Sequence, residues 1–254
     1  MKERPILFNG AMVRALLDGS KTQTRRVVKL PHNNPLGQWE PTTIGGENGG
    51  RTLAGATLPL QGGIWHTRTG DSLICPHGQP GDRLWVRESG VINKLLGTVK
   101  KPGLFRHDVP TTPEIGHYWV EETRAPGASY NVGGCSRSSA LLSYGAKVCP
   151  SIHMPRWACR LELEITTVRV ERLQDISAAD ARAEGIEFQE HRIAGDVCRS
   201  WKAYGSANGW YPEGVDSAPI FSYRSLWDGL NAERGYGWDI NPWVWVVQFA
   251  RVEP

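Results

Sequence analysis

The chain has 254 residues, of which 40% are hydrophobic, and its formal net charge is +3. This length and hydrophobic content predict one domain with insertions, because they suffice for a core of ordinary size. The chain begins with charged residues and contains no run of 18 or more apolar residues. We therefore expect neither a signal peptide nor a membrane-spanning helix, and we expect a cytoplasmic location.

The cysteines and histidines argue against a disulfide framework and against a metal site. The five cysteines form no CxxC pair and are odd in number, which indicates reduced thiols. The seven histidines lack the spacing of metal ligands. No dinucleotide-binding GxGxxG, phosphate-binding GxxxxGK[ST], HExxH or GxSxG motif is present. We expect no metal and no cofactor.

The first predicted element is a short helix within Ile6–Asp18, with Asn9 available as its N-cap and Gly19 as its end. The segment GSKTQTRR follows, and its threonines and the valines after it favour extended chain, so Lys21 is expected at a helix-to-strand junction. Residues 1–30 contain seven Lys or Arg against two acidic residues. This local surplus suits either a phosphate-bearing partner or a solvated basic surface.

The middle of the chain alternates loop-rich stretches with strong strands. Residues 31–81 are rich in Gly, Pro, Asn and Thr and predict an insertion with one or two hairpins. Residues 80–88 predict a turn and a central strand, because large side chains occupy both faces. Residues 97–150 are irregular apart from a candidate strand around Trp119. Residues 158–173 predict a long strand with a bulge near Thr166 and Thr167.

A second helix is predicted from Ser177, with Asp180 completing a capping box and Gly185 ending the helix. Glu184 then falls at the carbonyl end of this helix, which repels negative charge. A carboxylate held there is either functional or merely exposed. Residues 187–219 are interpreted as irregular, 221–230 as a helix and 241–252 as a strand. The elements together predict an α+β fold, a mixed β-barrel with a few short helices at its rim.

The order of these motifs resembles the ASCH domain, a relative of the PUA fold. The matching residues are Gly19, Lys21, Thr24 and Arg26, then Gly81 and Asp82, then Ala183, Glu184 and Gly185. The segments GDRLWVRE and NPWVWVV are similar to those of larger ASCH-like proteins of bacteriophages and prophages. The resemblance implies one ASCH/PUA-like domain over residues 1–254, with insertions at about 31–79, 97–150 and 187–219, in the cytoplasm of a bacterial host cell.

The family implies a cleft that faces RNA, nucleotides or modified nucleosides. Its smallest bacterial members hydrolyse N(4)-acetylcytidine through a Lys, a Thr and a Glu, and these match Lys21, Thr24 and Glu184. Thr24 would be the nucleophile, Lys21 its base, and Glu184 would orient Lys21 or move a proton. In the alternative, Lys21 and Arg26 bind a phosphate, and the protein reads RNA or DNA without cutting it or is a ribonuclease on the same fold.

Further side chains are candidates for contact with substrate or nucleic acid. Arg25 and Arg26 follow Thr24, Glu88 ends the central strand, and Arg156 beside Trp157 could pair a phosphate contact with a stacked base. The tryptophans on predicted strands are expected in the core, namely Trp85, Trp243 and Trp245. Those in predicted loops are alternative stacking residues, namely Trp201, Trp210 and Trp238. The identity of the base and the oligomeric state stay open.

Overall fold

The computed structural model describes residues 1–47, 55–57, 59–93, 104–107, 146–193, 196–206, 209–212 and 217–252. Fourteen β-strands and three α-helices lie in these ranges, so the predicted α+β class is confirmed. No helix in this part of the chain combines the length and the apolar character needed to cross a membrane.

The strands are β1 (Glu3–Leu7), β2 (Gln23–Val27), β3 (Trp39–Ile44), β4 (Gln61–His66), β5 (Ser72–Ile74), β6 (Arg83–Arg87), β7 (Gly90–Asn93), β8 (Leu104–His107), β9 (Ala146–Cys149), β10 (Glu162–Arg172), β11 (Phe188–Ile193), β12 (Asp196–Ala203), β13 (Gly209–Pro212) and β14 (Trp243–Val252). The helices are α1 (Gly10–Leu17), α2 (Ala178–Ala183) and α3 (Ala218–Asn231).

The chain forms two compact units. The first unit comprises Met1–Arg4, Ala11–Leu84 and Leu161–Pro254, and the second comprises Pro5–Gly10 and Trp85–Arg160. Strands β1 and β6 begin in the first unit and end in the second. The first unit therefore contains the matched motifs around Lys21 and Glu184, while Glu88 and Trp157 belong to the second.

One sheet has five strands in the order β1-β6-β10-β14-β2, and its strands β10, β14 and β2 lie in the first unit. Strand β14 pairs antiparallel with both β10 and β2, and Val246 is opposite Arg169 on one side and Arg25 on the other. Because opposed residues share a face and successive residues alternate, Arg25 and Thr24 point to opposite faces of this sheet. The Thr24 face contains Val247, which is opposite Thr24.

The long strand predicted over 158–173 is confirmed as β10, which is 11 residues long. Its register with β14 shifts between Ile165 and Thr167, where the sequence predicted a bulge. The predicted central position of β6 is also confirmed, since β6 lies between β1 and β10 and buries Leu84, Trp85 and Val86.

Three smaller sheets accompany the five-stranded one, in the orders β3-β4-β5, β11-β12-β13 and β8-β7-β9. The first contains the hairpins predicted in the 31–81 segment. The described strands thus form four open sheets with no closed barrel among them. Of the predicted irregular segment 97–150, β8 and β9 are described, and the candidate strand around Trp119 lies outside the described residues.

The interpretation of residues 187–219 as irregular is wrong, because β11, β12 and β13 lie there. The first half of β12 leaves its side chains exposed or half-buried, so the sequence lacks the alternation of apolar and polar residues that marks a strand. Trp201 lies in β12 and is buried against Phe188. Trp238 is buried as well, so neither tryptophan offers an open ring face for stacking.

The glycine near the start of β4, Gly62, allows β4 to pack closely against β10. A Cβ added at Gly62 would lie 2.6 Å from the carbonyl oxygen of Val168 and 2.7 Å from the Cα of Arg169. Both contacts are with backbone, which cannot rotate away as a side chain could. We expect Gly62→Ala to lower the free energy of unfolding by about 1–3 kcal/mol, as overpacked sites do, in urea unfolding.

Gly229 is the matched control, because it lies in α3 and no described atom outside its own stretch of helix comes within 4 Å of an added Cβ. Gly229→Ala should leave stability unchanged or raise it by up to about 1 kcal/mol, since alanine favours helix. Equal effects at the two glycines would contradict the close approach of β4 to β10.

Candidate functional site

The predicted helix-to-strand junction places Lys21 against the end of α2. Helix α1 ends at Leu17, Gly19 takes a left-handed φ of 81°, and the amide of Lys21 donates to the carbonyl of Ala15. Lys21 and Glu184 then pair as a single antiparallel bridge, and the amide of Thr22 donates to the carbonyl of Ala183. The junction and the carbonyl end of α2 are thus joined by backbone hydrogen bonds.

The ammonium group of Lys21 is buried with three acceptors around it. Its Nζ donates to the carbonyl of Gln23 at 2.8 Å, to the carbonyl of Glu184 at 2.7 Å and to Oε2 of Glu184 at 3.3 Å. The exposed fraction is 0% for the Lys21 side chain and 4% for that of Glu184. An ammonium group has three N–H donors, so these acceptors match its full capacity.

Burial lowers the pKa of Lys21 from 10.5 to about 8. The carboxylate of Glu184 opposes this change, and the charges of Arg26 and Arg25 add to it. Because a pKa of about 8 lies close to neutral pH, the neutral amine that a general base needs is accessible at a cost of roughly 1–2 kcal/mol at pH 7.

Glu184 occupies the C-cap of α2, where the helix dipole disfavours a carboxylate. Two cations compensate for this position. Oε1 of Glu184 accepts from Nη1 of Arg25 at 3.1 Å, while Oε2 accepts from Lys21. The carboxylate that was predicted at the helix end is therefore buried and paired, which excludes the exposed-surface interpretation of Glu184.

Arg25 extends this cluster along one face of the sheet. Its Nη2 contacts Oε2 of Glu171 at 3.0 Å and lies 3.7 Å from Oδ2 of Asp180. Its Nε is buried with no hydrogen-bond partner among the described residues. The guanidinium carbon lies 5.9 Å from the ring centroid of Tyr223 on α3. Burial and the nearby Glu184 hold the pKa of Tyr223 well above its usual value, so the phenol stays neutral.

Thr24 and Arg26 lie on the opposite face of β2 from Arg25. Thr24 is buried with 2% exposure and is opposite Val247, and Arg26 is half-buried and opposite Trp245. Arg26 is close enough for its charge to lower the pKa of Lys21. The structure thus brings Lys21, Glu184 and Arg25 into direct contact, while it places Thr24 with Arg26 on the other face of the strand.

The remaining predicted site residues belong to the second unit. Glu88 is buried and accepts two hydrogen bonds from Arg160, at 3.0 and 2.7 Å. The guanidinium carbon of Arg156 lies 5.8 Å from the ring centroid of Trp85. Trp157 is half-buried and packs against Met154. Glu88 is therefore held in a bidentate ion pair, which occupies both of its oxygens.

Sequence reasoning missed Glu171 and Tyr223. Glu171 on β10 and Arg25 on β2 lie on either side of β14. Arg25 and Arg169 are both opposite Val246, and the alternation along β10 puts Glu171 on the same face as Arg169, so Glu171 lies near Arg25. Such a cross-strand ion pair could have been inferred once β2 was paired with β14. No sequence pattern indicates that Tyr223 belongs to this cluster, because α3 packs against α2 through a tertiary contact that no local pattern encodes.

Comparison of the chain with protein-family models, with curated proteins and with solved structures finds no match. Among the described residues, no group of three or more His, Cys, Asp or Glu side chains is arranged to hold a metal ion.

The lowered pKa of Lys21 predicts a pH dependence of stability. Between pH 8 and 10.5 the unfolded chain binds this proton and the folded chain does not, so the free energy of unfolding should rise with pH across that window. The rise attributable to Lys21 is about 3 kcal/mol in total. Urea unfolding of wild type and Lys21→Met at several pH values measures it, since the difference between the two proteins should change across this window.

Lys29→Met is the matched control, because Lys29 is an exposed lysine eight residues further along the chain. It reports the effect of removing an exposed ammonium over the same pH range. A difference for Lys21→Met that changes with pH no more than that of Lys29→Met would show that the folded chain holds the Lys21 ammonium without a lowered pKa.

Proposed function

We propose that the protein is an ASCH-like amidohydrolase that removes an acyl group from the N4 amino group of a modified cytosine, with N(4)-acetylcytidine as the type of substrate. The observation that carries this proposal is the buried contact between Lys21 and Glu184, which combines a lysine pKa of about 8 with a paired carboxylate. The family resemblance of the GSKTQTRR and AEG motifs supports the same assignment.

In the proposed reaction the neutral amine of Lys21 takes the proton of the Thr24 hydroxyl while the oxygen of Thr24 attacks the acyl carbon. The carbon–nitrogen bond then breaks, the proton passes to the N4 amine with Glu184 orienting Lys21, and cytidine leaves. Water hydrolyses the threonine ester and releases acetate. Lys21 Nζ now donates to the carbonyls of Gln23 and Glu184. The scheme requires it to give up one of these bonds and come within hydrogen-bond distance of the Thr24 hydroxyl.

Arg26 is assigned to substrate binding. It shares a face of β2 with Thr24 and is half-buried, so part of its side chain faces solvent. A guanidinium group there can donate to the acyl oxygen or to a phosphate. Arg25 is assigned to holding Glu184, because its contacts are with Glu184 and Glu171.

A second candidate function is a non-catalytic reader of modified bases in RNA or DNA. One observation favours it: the three acceptors around Lys21 Nζ match the full donor capacity of a charged, structural ammonium. In this case Lys21 only anchors β2 to α2, and Arg26 with the basic segment 1–30 contacts phosphate.

An assay for cytidine release separates the two functions. We expect wild type to convert N(4)-acetylcytidine to cytidine and acetate, and Thr24→Ala to lower kcat/KM by at least about 100-fold through loss of the nucleophile. Thr24→Ser keeps the hydroxyl and should retain measurable turnover. Glu184→Gln keeps the shape of the side chain and removes its charge, so it tests whether turnover needs the Glu184 carboxylate.

Thermal unfolding midpoints of the same variants control for folding. Thr24→Ala and Thr24→Ser should unfold at similar temperatures, so a difference in their rates reports on the hydroxyl. Absence of cytidine with wild-type protein overturns the hydrolase and leaves the reader, which is then tested by binding to acetylated RNA. Full activity in Thr24→Ala overturns Thr24 as the nucleophile.

The proposed base predicts the pH profile of the reaction. Because only the neutral amine of Lys21 accepts a proton, kcat/KM should rise about tenfold per pH unit below pH 8 and level off above it. The charge of Arg26 contributes to the low pKa, so Arg26→Gln should move the midpoint to higher pH. Initial rates from pH 6 to 10 measure both effects.

Arg14→Gln is the matched control, since Arg14 is an exposed arginine on α1 and its removal should leave the midpoint in place. If kcat/KM falls as pH rises, the reaction depends on a protonated acid, and Lys21 is excluded as the base.

A further inference from the structure

A pocket lies in the first unit at the ends of β10 and β14. It has a volume of about 420 Å³ and lies beside residues 30–41. This volume falls within the range of pockets that hold small organic ligands. The side chains that define its chemistry are Asn33, Gln38, Trp39, Glu40, Arg172 and Trp243.

One wall of the pocket is a stacked pair. The guanidinium carbon of Arg172 lies 4.1 Å from the ring centroid of Trp243, and the two residues are opposite each other in the β10–β14 ladder. Nη1 of Arg172 donates to the carbonyl of Asn241 at 3.0 Å, which holds the guanidinium in place. Trp243 is half-buried and Arg172 is exposed, so this pair presents flat surface of the kind on which nucleobases stack.

The facing wall is rigid. The indole nitrogen of Trp39 donates to the carbonyl of His32 at 3.1 Å, and its ring lies 5.1 Å from the ring of His32 and 5.2 Å from that of His66. Trp39 is 6% exposed and precedes Glu40 in β3, so its buried ring anchors the strand from the face opposite to the Glu40 side chain. A wall fixed in this way lowers the entropy cost of binding a flat ligand.

The polar groups of the pocket favour an uncharged ligand with N–H donors. Among the described lining residues Arg172 is the one cation and Glu40 the one anion, so a highly charged phosphate is not matched. Nε2 of Gln38 donates to Oε1 of Glu40 at 2.5 Å, which orients the carboxylate. A carboxylate accepts from the amino groups of bases, and guanine offers two adjacent donors, N1–H and the N2 amino group.

We propose that this pocket binds a nucleobase, guanine foremost, which stacks on the Arg172–Trp243 pair and donates its N–H groups to Glu40. The base comes either from a free nucleoside or from a single strand. The proposal does not depend on the proposed hydrolysis, because its residues are separate from Lys21, Thr24 and Glu184.

Binding is measured by tryptophan fluorescence and by calorimetry with guanosine, inosine and uridine. We expect guanosine to bind most tightly, and inosine, which lacks the N2 amino group, to bind about tenfold more weakly. Trp243→Leu removes the stacking surface and should weaken guanosine binding by about tenfold. Arg172→Gln and Glu40→Gln change the charged groups of the pocket and should also weaken guanosine binding.

Trp210→Leu removes an exposed tryptophan on β13, outside the pocket, which the sequence also indicates as a candidate for stacking. It should bind guanosine as wild type does, and weaker binding would move the stacking surface to β13. Thr24→Ala should bind guanosine as wild type does, which separates this site from the hydrolase. A short single-stranded RNA that contains one guanine distinguishes the sources, because tighter binding than guanosine identifies a strand. No guanosine binding at millimolar concentration, or binding that Trp243→Leu and Glu40→Gln leave unchanged, overturns the proposal.

Discussion

The burial of three ionic side chains at the edge of one sheet is the constraint on which the first unit depends. Lys21 and Arg25 approach the single carboxylate of Glu184 from two sides, and all three side chains are almost fully withdrawn from water. Burial of each charge alone would cost several kcal/mol, so the cluster is stable only when it is complete. It ties β2, an edge strand, to the end of α2, and it thereby fixes the position of the helix-to-strand junction.

Gly185 allows the end of α2 to approach Lys21 closely. Gly185 follows Glu184 with a left-handed φ of 77°, and a Cβ there would lie 2.8 Å from the Cβ atoms of both Ala15 and Lys21. Any side chain would therefore push the end of α2 away from α1 and lengthen the hydrogen bonds between Lys21 and Glu184. Geometry explains the AEG motif before any chemistry. The carbonyl of Ala183 accepts from Thr22, Glu184 pairs with Lys21 and Arg25, and Gly185 permits the close contact.

The sequence predicts those parts of the fold that depend on residues close together in the chain. The N-cap at Ser177, the bulge in β10 and the glycine that ends α1 each depend on residues a few positions apart, and each is present. The contact of Lys21 with Glu184 spans 163 residues and was expected only through the family resemblance. Composition could not show that Arg25 turns toward Glu184 while Thr24 turns away, because strand register decides this.

Strand register also relates the two proposed sites. Trp243, Trp245 and Val247 occupy alternate positions of β14 and share one face, and Thr24 is opposite Val247 on that face. Four residues of extended chain separate Trp243 from Val247, which is about 13 Å. The proposed sites at Trp243 and Thr24 thus lie along the same side of one sheet. Trp245, which lies between Trp243 and Val247 on β14, is only 2% exposed, so protein covers this face between the two sites.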